Sequence, residues 1–83
     1  MKRSKYKGQY KILLDQLYRL RISSGLKQSE LSEQLGVSQS FISKIENGER
    51  KIDIIELQTI CNILGSTLEL FIKEFENKLN ESR

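Results

Sequence analysis

From Tyr10 onward the apolar residues return at intervals of three and four, as Tyr10, Leu13, Leu14, Leu17 and Leu20, the period of a helix with one buried face. Gly25 offers a left-handed stop, so the pattern predicts helix 1 over about 10–24. Helix 2, about 28–35, turns Leu31 and Leu35 inward and ends at Gly36. Ser38 offers an N-cap for helix 3, about 39–47, which Gly48 closes. Asp53 and Glu56 have the spacing of a capping box for helix 4, whose apolar stripe is Leu57, Ile60, Cys61 and Leu64 before Gly65. Helix 5, about 67–80, follows a second capping signal, either Ser66 with Glu69 or Thr67. The expected class is all-α, one domain of five helices over 10–83 behind a flexible basic arm at 1–9.

Helix 3 carries the most chemistry. At about 100° per residue, Gln39, Ser40, Ser43, Lys44 and Asn47 share one arc, while Phe41, Ile42 and Ile45 take the other and Glu46 lies on the border. A solvated helix face usually mixes Glu with Lys, yet this outer arc holds no acid. Amide, hydroxyl and ammonium groups are suited to base edges and phosphates. Two short helices joined across Gly36-Val37-Ser38 also have the spacing of a helix-turn-helix pair.

Composition narrows the chemistry. At 83 residues, folding hides only about 60% of the extended chain's surface, enough for one modest core. There is no His and a single Cys, which removes His-based acid/base catalysis, Cys/His nucleophile pairs and zinc sites, so neither an enzyme nor a cofactor is expected. Cys61 faces inward and is expected to be a buried thiol in a reducing cytoplasm. The longest apolar runs are three residues, such as Ile12-Leu13-Leu14, far short of the about 20 that a membrane span needs. The basic start lacks the apolar stretch of a signal peptide, so a cytoplasmic location is expected. The net charge of +3 is uneven: Lys2, Arg3, Lys5, Lys7 and Lys11 put +5 on residues 1–11, leaving −2 on the rest. Nucleic-acid binding would therefore fall to a few placed cations and the arm, which either enters a groove or stays in solvent.

The run Leu20-Arg21, Gly25-Leu26-Lys27-Gln28-Ser29-Glu30-Leu31, Leu35-Gly36-Val37-Ser38-Gln39, Ile42-Ser43-Lys44-Ile45-Glu46-Asn47-Gly48 resembles the Cro/CI-type helix-turn-helix family, also called the Xre family. The likeness extends over positions 20–71. It implies a five-helix, Cro/CI-like (lambda-repressor-like) DNA-binding domain, here with an extended C-terminal helix. By that resemblance Gln39 reads a base at the start of the recognition helix, and Gln28 touches phosphate and orients it. Ser40, Ser43 and Lys44 fall on the base-reading positions, and Ser38, Asn47 and Arg50 on the backbone-contacting ones. Arg21 and Glu46 fall on a structural ion pair between helices 1 and 3. Two positions depart from the pattern. Lys27 stands where Ser or Thr is common and cannot cap a helix; it is read as a DNA-backbone contact, against a tolerated substitution. Ser32 replaces a usual alanine and is small enough to fit.

The expected function is sequence-specific binding of double-stranded DNA by a homodimer on a palindromic operator, most simply as a repressor. No residues are left over for a ligand-sensing domain. The alternative is an interaction module of the same fold, such as an antitoxin masking a toxin or a bridging factor; a toxin or an antirepressor is the further candidate partner. The expected dimer seam is the helix 5 stripe of Leu68, Phe71, Ile72, Phe75 and Leu79 with the end of helix 4, since four helices suffice to enclose Leu17, Leu31, Leu35, Ile42, Ile45, Leu57 and Leu64. The competing arrangement folds that stripe back onto helix 1 beneath Tyr10, Leu13 and Leu14.

Overall fold

The computed structural model describes residues 2–81, of which 2–7 are described as backbone. Five helices follow in order: α1 Lys2–Ser24, α2 Gln28–Leu35, α3 Gln39–Glu46, α4 Ile54–Ile63 and α5 Leu68–Glu81. Among the described residues there is no strand, and no single helix is long and apolar enough to cross a membrane. The all-α architecture and five-helix order match the expectation, and α2 and α5 lie within a residue of their expected bounds.

The helix at the N-terminus begins earlier than its hydrophobic pattern does. It runs from Lys2 rather than from about residue 10, so the segment expected to be a flexible arm continues α1 as helical backbone; Met1 lies outside the described residues. Period-reading detects only the part of a helix that is buried on one side. Lys, Arg, Gln and Tyr are all compatible with helix, and Gly8 costs only about 1 kcal/mol relative to alanine.

The core consists of Leu17, Leu31, Ile42, Ile45, Leu57, Ile60, Cys61, Leu64 and Phe71. Leu35, expected among them, is half-buried and packs on its edge. Both α2 and α3 are only eight residues long, so neither closes the core. The long α1 contacts both α3 and α5, and α4 contacts both α2 and α5.

This arrangement corrects the expected dimer seam. Phe71 is 2% exposed within one chain and belongs to the core. Leu68 and Ile72 pack against that core, and Phe75 and Leu79 are half-buried too. The first part of the stripe, Leu68, Phe71 and Ile72, therefore packs within its own molecule, and α5 also contacts α1. Gln16, buried at 3% exposure, donates from Nε2 to the Phe71 carbonyl at 2.8 Å, which fixes where α5 lies along α1. Its Oε1 is buried without a hydrogen-bond partner, a cost of about 1–3 kcal/mol that the apolar packing around it must offset.

The helix termini follow the local signals. Asp53 and Glu56 form the reciprocal capping box, with Asp53 Oδ1 accepting from the Glu56 N–H at 2.7 Å and Glu56 Oε1 accepting from the Asp53 N–H at 3.0 Å. At α5 the cap is Thr67, whose Oγ1 accepts from the Leu70 N–H, and not Ser66. Gly48, at φ 81°, ends α3 where a Cβ would also come within 3.4 Å of the Leu14 side chain. Cys61 is fully buried, and burial pushes its thiol up to about 11.

Candidate nucleic-acid interface

The two short helices are set by the chain around them. Gly36, at φ 79°, caps α2 in the left-handed conformation, and the Val37 N–H donates back to the Ser32 carbonyl at 2.9 Å. Ser38 Oγ then accepts from the Phe41 N–H at 3.2 Å and starts α3. Ser32 is buried at this crossing and donates to the Ser29 carbonyl, so its hydroxyl is satisfied. At the start of α2, Lys27 supplies no side-chain cap; its backbone N–H donates to Glu30 Oε1 at 2.8 Å and its carbonyl accepts from the Leu31 N–H at 3.0 Å. Half of a capping box is present, and the Lys27 side chain is left exposed.

Behind α3 lies a buried ion pair. Arg21 donates from Nε to Glu46 Oε2 at 2.6 Å and from Nη2 to Glu46 Oε1 at 3.1 Å, with both side chains less than a tenth exposed. Its third direction, from Nη1, goes to the Leu26 carbonyl at 2.8 Å, tying the α1–α2 turn into the same point. Glu46 Oε1 also accepts from Gln28 Nε2 at 2.9 Å. Gln28 Oε1 in turn faces Gln39 Nε2 at 3.5 Å, the longest link. A chain of polar contacts thus runs from α1 through the end of α3 and the start of α2 to the first residue of α3.

The outer arc of α3 is open. Gln39, Ser40, Lys44 and Asn47 are exposed and Ser43 is half-buried. Asn47 is the C-cap residue, one position beyond the last helical residue Glu46. Arg50 has a different setting from the one its position suggested. Its guanidinium lies 4.2 Å from the Phe41 ring centroid and grips Glu56 through two hydrogen bonds of 3.0 and 3.1 Å. Its side chain remains about two-fifths exposed, so it clamps α3 to α4 while keeping an outward edge.

The sequence reading missed this clamp, because Arg50 and Phe41 are brought together only by the turn between them. It also missed Tyr10, whose hydroxyl accepts from the Ile52 N–H at 3.0 Å while the Lys51 ammonium sits 4.1 Å from its ring. An inward-facing tyrosine opposite a backbone donor gives no local signal.

Two outcomes follow from this geometry. Removing one partner of a buried pair leaves the other uncompensated, so Arg21→Met should cost about 3 to 5 kcal/mol in urea unfolding, and a cycle with Glu46→Gln should show strong coupling. Independent, additive losses would contradict the pairing. The guanidinium of Arg50, helped by the Asp53 N–H, holds the Glu56 carboxyl below its usual 4.5. A depressed carboxyl contributes fully at neutral pH and loses that contribution as pH falls below 4.5. The stability gap between wild type and Glu56→Gln should therefore be widest near neutrality and close in acid; a gap independent of pH would show that the clamp is not electrostatic.

Similarity to known proteins agrees with this geometry. Residues 17–71 match the family model for the helix-turn-helix family. Over 47 residues the chain is 38% identical to the uncharacterised HTH-type transcriptional regulator y4dJ of Sinorhizobium fredii, a match covering 57% of this chain but only 61% of that relative. Over 53 residues it is 30% identical to the control protein C.MunI of a Mycoplasma species, covering 64% of this chain and 72% of that one. Among solved structures, an XRE-family like protein from Pseudomonas syringae pv. tomato superposes with a TM-score of 0.87 at 35% identity, covering 93% of this chain and 94% of the other. The chain belongs to the helix-turn-helix family, of the XRE type, and is built on the Cro/CI-like fold.

Proposed function

We propose that the protein is a cytoplasmic repressor that reads a palindromic operator as a homodimer and performs no covalent chemistry. The observation that carries this reading is the open, acid-free outer arc of α3, with Gln39 at its start facing Gln28. Gln39, Ser40, Ser43 and Lys44 are the base-reading groups. Gln28, Ser38 and Asn47 hold the backbone, and Arg50 does so by its exposed edge. Lys27 joins them as a phosphate contact: an exposed ammonium beside the first turn of α2, where no side-chain cap is present, complements an anion. Similarity to a protein named as a control protein is consistent with a regulatory role.

Twofold pairing is favoured by reach. An eight-residue recognition helix is only about 12 Å long and covers few base pairs, so two copies are needed for a long site. With Phe71 in the core, the apolar surface for that contact is best supplied by Ile54 and Ile55, 55% and 65% exposed at the start of α4.

Selection from a random duplex pool tests the reading. It should recover an inverted repeat with half-site centres about 34 Å apart. Gln39→Ala should weaken binding to that site by about 1 to 3 kcal/mol and blur the base preference there. Equal affinity of the wild type for selected and random duplexes would overturn base reading and leave the fold as an interaction module, for example one that masks a toxin.

A further inference from the structure

We propose that Glu56 is a positioning residue for DNA binding: from α4 it turns the guanidinium of Arg50 so that one edge of it is offered to a backbone phosphate. Arg50 acts here as the backbone contact assigned above, a reading on which this inference rests. Glu56 bears charge of the same sign as DNA, so its carboxylate by itself repels a polyanion. Its removal should nevertheless weaken binding.

The donors of Arg50 divide into two sets. Nη1 donates to Glu56 Oε1 at 3.0 Å and to the Lys51 carbonyl at 3.1 Å, and Nη2 donates to Glu56 Oε2 at 3.1 Å. The Nε–H and the second N–H of Nη2 have no partner among the described residues. Nη2 is the terminal nitrogen trans to Cδ, so these two donors lie side by side on one edge of the plane. That edge is the parallel fork which matches two oxygens of a phosphate.

Two restraints decide where the fork points. The Phe41 ring of α3, its centroid 4.2 Å from Arg50 Cζ, sets the plane of the guanidinium. Stacking alone would let that plane spin about its normal, and the two-point grip of Glu56 prevents it. Glu56 is itself held to the first turn of α4: Oε1 accepts from the Asp53 N–H at 3.0 Å, and its own N–H donates to Asp53 Oδ1 at 2.7 Å. On the other side the Arg50 N–H donates to the Lys44 carbonyl at 3.1 Å, which seats the residue against the last turn of α3. The Arg50 side chain is 41% exposed and that of Glu56 only 22%. A free arginine would lose rotamer freedom on meeting a phosphate, whereas Arg50 has lost it already on folding.

Affinities for the selected duplex and for a random one, measured across a salt series with each variant well below its unfolding midpoint, test the assignment by the sign of the effect. Glu49→Gln and Glu56→Gln each remove a single negative charge, and Glu49 is exposed beside Arg50. Glu49→Gln should tighten binding to both duplexes. Glu56→Gln should weaken both severalfold, lower the magnitude of the log K against log salt slope by about 0.9, and leave the ratio of selected to random affinity unchanged. In an Arg50→Ala background it should no longer weaken binding. Tightening by Glu56→Gln to match Glu49→Gln would overturn the proposal, by showing that the carboxylate only repels. Equal weakening with and without Arg50 would also overturn it and assign Glu56 to the α4 cap alone. Arg50→Lys leaves that cap untouched and keeps the charge, but an ammonium held by Glu56 has no second edge. It too should weaken both duplexes severalfold, and affinities equal to those of the wild type would contradict the fork. Equal wild-type affinity for selected and random duplexes would strike at base reading and leave this assignment standing, because a backbone contact is made on either; a wild type that binds neither would overturn both.

Discussion

Everything on the open face of α3 depends on one buried meeting of charges, Arg21 from α1 with Glu46 from the end of α3. An eight-residue helix is too short to hold its shape alone, so α3 exists only as far as the bundle fixes it. Ile42 and Ile45 fix it by apolar burial, which is non-directional and would tolerate rotation. The planar guanidinium does not. Its bidentate grip on Glu46, with the third donor on the Leu26 carbonyl, sets the rotation of α3 about its axis and the path of the α1–α2 turn together. Burying two charges costs several kcal/mol in desolvation, so the gain lies more in geometry than in net stability. Gln28 spends its amide on the same carboxylate, which leaves its carbonyl facing Gln39.

A second constraint sorts the cations. Arg21 and Arg50 are both committed to carboxylates, one deep and one at the α3–α4 junction. Lys27 and Lys44 stay exposed at opposite ends of the helix pair. Because the body of the chain is slightly acidic, few cations remain to attract a polyanion. Placement has to do what density cannot. Both arginines also stack on aromatic rings, Arg21 on Tyr18 and Arg50 on Phe41, which fits a planar, weakly hydrated group held in place.

What could be read from the sequence was local. Ser38, Asp53 with Glu56, and the glycine stops at Gly36 and Gly48 act within a few residues, and each appears where its signal placed it. The core stripes of α4 were legible for the same reason. Arg21 with Glu46 came from the resemblance, since 25 residues separate the partners and no spacing rule joins them. Phe71 was misread because a helical stripe shows that one face is covered and not what covers it. Gln16 is polar at a buried position, and Tyr10 answers a backbone N–H 42 residues away, so neither could be found without the fold. The start of α1 was missed because residues 2–9 carry no apolar period in the sequence.

The central claim is that the buried pair orients the reading face as well as stabilising the bundle. Affinities of Arg21→Met for the selected site and for random duplex, measured well below its unfolding midpoint so that the variant stays folded, test it directly. The selected site should lose about tenfold or more, about 1.4 kcal/mol, while random duplex binding stays near that of the wild type. Unchanged discrimination in a folded Arg21→Met protein would show that the pair stabilises the fold and leaves recognition to the helix alone.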